Sequence, residues 1–92
     1  MKQYDITVGT TATLVWKSNN PKGDTLIINT TSTGKDVHFG DSGVNTSSSW
    51  GFHLPNNYDA FSITVPYGES LYAAVGTTTG VIHILETNPN PA

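Results

Sequence analysis

A chain of 92 residues with no cysteine and a formal net charge of -3 has room for one domain with a single modest core, and no disulfide or thiolate-metal framework to support it. Its four cations, Lys2, Lys17, Lys22 and Lys35, are scattered, so it carries no basic footprint for nucleic acid or an anionic membrane. Apolar residues make up 36% and charged residues 12%, and this weakly charged composition excludes a disordered chain held open by its own charge.

The opening MKQYDITVGT has no apolar run like a secretory leader, and nothing reaches membrane-spanning length, so we expect a soluble protein made in the cytoplasm. Residues 1–10 read as an N-terminal arm or edge strand, extended from Tyr4 to Val8. The main domain, 11–87, begins with a strand at Ala12 to Lys17, and a turn-rich loop from Asn19 to Asp24 leads to Thr25 to Asn29. Thr31 to Asp36 reads as a connection in which Gly34 can take positive φ. Strands follow at Val37 to Phe39 and Trp50 to Leu54, then Pro55 to Asp59 links to Phe61 to Val65. A proline-led turn at Pro66 to Glu69 precedes Leu71 to Val75 and Gly80 to Glu86. The last residues, 88–92, cannot form a ladder and read as a flexible tail.

Successive strand side chains point to opposite faces, so alternation assigns a core. It places Ala12, Leu14 and Trp16 inside, with Leu26, Ile28, Val37, Phe39, Phe52, Leu54, Phe61, Ile63, Val65, Leu71, Ala73, Val75, Ile82 and Ile84. Val15, Ile27 and the three histidines, His38, His53 and His83, fall outside. About eight half-buried strands close most simply into an all-β antiparallel sandwich or a jelly-roll-like barrel.

Gly40-Asp41-Ser42-Gly43 reads like the nucleophile segment of chymotrypsin-like serine proteases. A nucleophilic serine needs a base, a group orienting it and oxyanion donors, and this chain has no room for the second barrel that supplies them in that family. The expected role is a fold-defining turn, with Gly40 and Gly43 in conformations closed to other residues and Asp41 and Ser42 capping it through side chain to backbone bonds. The histidines lack the tight spacing of a metal site, and Asp41, Asp59, Glu69 and Glu86 sit in turns or at strand ends rather than facing across a cleft. We therefore expect no catalytic residue, metal or cofactor. Trp50, Tyr58, Tyr67 and Tyr72 fall in loops or face outward, which marks candidate contact surface. Tyr4, Ile6 and Val8 of the first strand and His83 join them as candidate interface.

From Ile28 to Glu86, about two thirds of the chain, the order of features resembles small virion proteins of tailed bacteriophages. It runs through Asn29-Thr30, then Val37 to Thr46 with its Gly-x-Ser-Gly-Val turn, Gly51-Phe52-His53-Leu54, Gly68 to Ala73 with Leu-Tyr-Ala, and Ile82 to Glu86. Asn45 before Thr46 and the long Pro55 to Ala60 connection depart from the pattern. The resemblance implies a β-sandwich located in the virion, on the head as a decoration or cement subunit bound to the major capsid protein, frequently as a homotrimer, or else on the tail. The alternative is a carbohydrate- or receptor-binding module of a tail or fibre, stacking a glycan on Trp50, Tyr58 and Tyr67. Neither reading calls for an enzyme, nucleic acid or a membrane.

Overall fold

The computed structural model describes residues 2–31, 33–49, 51–55 and 59–87. The expected tail, 88–92, and the candidate contacts Trp50 and Tyr58 lie outside them. Each of the eight expected strands forms: β1 (Lys2–Val8), β2 (Thr13–Lys17), β3 (Asp24–Asn29), β4 (Val37–Gly40), β5 (Phe52–Leu54), β6 (Phe61–Val65), β7 (Ser70–Val75) and β8 (Gly80–Thr87). No helix occurs among the described residues.

The strands build two antiparallel four-stranded sheets, the first in the order β1-β8-β3-β6 and the second in the order β2-β7-β4-β5. β3 and β8 show the period of two most clearly, because each lies in the middle of a sheet with one face on the core. Leu26, Ile28, Ile82 and Ile84 from the first sheet meet Val37, Phe39, Ala73 and Val75 from the second. Aromatic contacts hold both margins of the sandwich. On one side Tyr4 sits edge-on to Trp16 at 5.1 Å, and the Trp16 indole N–H donates to Asp24 Oδ2 at 2.9 Å, linking β2 to β3. On the other, Phe39 stacks on Phe52 at 5.0 Å, and Phe52 meets Phe61 at 5.1 Å.

Alternation fails in β2. Thr13 and Leu14 pair with Ala73 and Tyr72, but Trp16 pairs with Leu71, which leaves Val15 as an extra residue in a bulge. The bulge turns Val15 into the core and leaves Leu14 49% exposed, so the inside and outside expected for these two are exchanged. A bulge leaves no trace in apolar alternation, because it breaks the period within one residue.

The turns follow their residues. Gly34 takes φ of 65°, as its place in the connection predicts, and Gly68 at 82° closes a turn in which the Glu69 N–H donates to the Pro66 carbonyl at 3.0 Å.

Candidate functional site

Gly40 to Gly43 forms a tight reversal at the end of β4. The Asp41 carboxylate accepts from the Gly43 N–H at 2.9 Å and the Asp41 carbonyl from the Val44 N–H at 3.0 Å, and Val44 is buried. The capping role expected of Asp41 is present. The glycine argument needs correction, because neither Gly40 nor Gly43 has positive φ. Gly40 is confined by space instead: a Cβ there would lie 3.2 Å from Val44 Cγ2 and 3.3 Å from the Gly51 nitrogen. At Gly43 a Cβ would meet nothing nearer than Asp41 Oδ1 at 3.4 Å. Ser42 is exposed in the turn.

The candidate contact residues separate by face. Val8 is fully buried opposite Gly80, and Tyr4 and Ile6 pack against the core, since pairing with β8 sets their parity inward. The side chain of Val8 therefore has no surface to offer a partner. Tyr67 projects from the β6–β7 turn at 62% exposure. Tyr72 is half-buried on the outer face of the second sheet, with Leu14 on one side and Gly40 on the other. Leu14 and Tyr72 form an apolar strip there. Alternation found Tyr72 and missed Leu14, which it had assigned to the core.

Beyond that strip, the outer face of the second sheet is partly covered. His38 and Ala74 are cross-strand neighbours and both are buried. His38 points away from the core, as expected, but it is not exposed. The His53 ring stacks on it at 4.8 Å, and Lys35, Asp36, Thr46 and Thr77 surround a polar depression beside it. His53 Nε2 lies 3.0 Å from Asp36 Oδ2. Burial pushes the His38 pKa down, His53 pushes it further, and Asp36 opposes them.

His83 lies on the outer face of the first sheet, where its Nδ1 is 2.7 Å from Asp5 Oδ1. Both side chains are substantially exposed, so the pair contributes little to stability. They border a shallow depression of about 320 Å³ whose apolar wall includes Ile27 and Leu85. Among the described residues, no three His, Asp or Glu side chains are placed to share a metal ion. Taken together, these features are apolar surface bordered by hydroxyls and ion pairs. Comparison with protein-family models, curated proteins and solved structures finds no match to this chain.

Proposed function

We propose that this chain is a non-enzymatic structural protein of a tailed-phage particle, adhering to the outside of the head and stabilising it against the major capsid protein. What carries the reading is the outward apolar strip of Leu14 and Tyr72, with Leu14 49% exposed on a sheet whose core needs neither side chain. A leucine on the open face of a sheet contributes to contact and not to the fold. The resemblance of its order of turns and strands to that of small virion proteins supports the same conclusion.

The mechanism is mass action. A subunit that binds only the assembled shell stabilises that shell by its binding free energy, and repetition over many sites makes the total large even when each contact is modest. Cosedimentation with empty expanded heads tests this. The wild-type chain is expected to pellet with heads, and Leu14→Asp is expected to lose about tenfold or more in affinity while keeping its melting temperature. Binding to tails or to cells but not to heads would overturn the assignment. The exposed ring of Tyr67 is the one described feature that favours the glycan-binding alternative, and binding to a glycan array that Tyr67→Ala abolishes would establish it.

A further inference from the structure

A sandwich of two open sheets has four edge strands, and three of them are blunted against pairing with another chain. β1 carries Lys2 and Asp5, both exposed. β2 is broken by the Val15 bulge and ends in exposed Lys17. β5 has only three residues. β6, Phe61-Ser62-Ile63-Thr64-Val65, has none of these defences. It contains no charge, proline or glycine, and it pairs with β3 in unbroken register from Ile28↔Phe61 to Asp24↔Val65. Among the described strands nothing pairs with its other side. Phe61 and Ile63 are only half-buried, and a depression of about 260 Å³ lined by Ile63, Val65 and Leu71 opens next to it.

We propose that β6 is a self-association strand, to which the β6 of a second copy of this chain adds antiparallel across a two-fold axis through Ile63, joining two four-stranded sheets into one. The occupant follows from the order of its side chains. A two-fold axis perpendicular to a sheet keeps inner faces with inner faces, so each residue must meet one of the same parity. Centred on Ile63, all five residues find a like partner. Phe61 meets Val65 of the second copy, Ile63 meets itself, and Ser62 meets Thr64. Apolar pairs fall on the core side and hydroxyl pairs on the solvent side, both favourable cross-strand combinations. No like charges meet. A foreign strand would need none of this symmetry. The contact is a property of the chain in solution, independent of whether heads are its partner, and it replaces the trimer implied by the resemblance with a dimer.

Sedimentation equilibrium tests it. The wild-type chain is expected to be a dimer at roughly 100 µM. Ser62 and Thr64 are exposed, so Ser62→Lys with Thr64→Lys sets cations opposite one another and is expected to weaken the dimer at least about tenfold, with near-ultraviolet circular dichroism unchanged. Ser62→Glu with Thr64→Glu should do the same, and mixing the two variants should restore a heterodimer. Gln3→Lys with Thr7→Lys on the β1 edge should leave the dimer intact. Hydrogen exchange of wild-type β6 amides, slowing with protein concentration, reads the same contact without any substitution. A monomer at every concentration up to roughly 1 mM, a trimer, or a dimer indifferent to the β6 charges would overturn the proposal.

Discussion

His38 is the residue whose environment departs furthest from what its neighbours in sequence suggest. It occupies an outward position on β4 yet is buried beneath His53, beside Asp36 and Lys35. Its folded pKa lies below the ordinary value of about 6.5, so the unfolded chain takes up the proton more readily. The associated stability is complete above pH of about 6.5 and is lost as pH falls toward the folded value. Thermal melts are therefore expected to drop between pH 7.5 and pH 5, and His38→Gln should flatten part of that slope. A variant with the same slope as wild type would show that His38 does not contribute. Gly51 illustrates a constraint of another kind: a Cβ there would press on the backbone of Phe39 and Gly40, the latter at 2.8 Å. Only glycine lets the β5 approach pass that close to β4.

At the scale of elements, the bulge in β2 decides which of two adjacent apolar residues stabilises the fold. Val15 is 4% exposed and sits in the core, whereas Leu14 faces solvent. Val15→Ala is expected to cost about 2 kcal/mol, a fall in melting temperature on the order of 10 °C for a domain of this size. Leu14→Ala should change stability by less than about 0.5 kcal/mol. Comparable losses from the two would mean that the bulge is misplaced. The strands themselves were legible in the sequence because β-branched runs and turn residues alternate so regularly. Their side-chain directions were legible wherever the ladder is unbroken, as in β3, β6 and β8, and misread at β2.

The whole molecule is built from distant pairings. Among the described residues only the β4–β5 link joins neighbours within one sheet, and the first strand pairs with the last, β1 with β8, placing Lys2 opposite Glu86. Loop-closure entropy must be overcome before such contacts stabilise anything, so folding is expected on the millisecond to second scale. Stopped-flow fluorescence of the tryptophans measures it, and a dominant submillisecond phase would contradict the topology. The layers also account for the surfaces. Aligning β1 over β2 and β5 over β6 closes both margins with aromatic contacts and leaves the Leu14–Tyr72 strip on the outer face of the second sheet.

Composition and alternation by themselves determined an all-β chain, the place of each strand and most of the core, because those depend on local propensity and on a period of two. Which strands became neighbours, where one residue too many reversed a pair of side chains, why His38 is buried and which strands lie at the sheet margins were decided only when the sheets closed. The physical reason is that burial and edge pairing belong to contacts between segments far apart in the chain, and no local pattern of residues encodes which segments those will be.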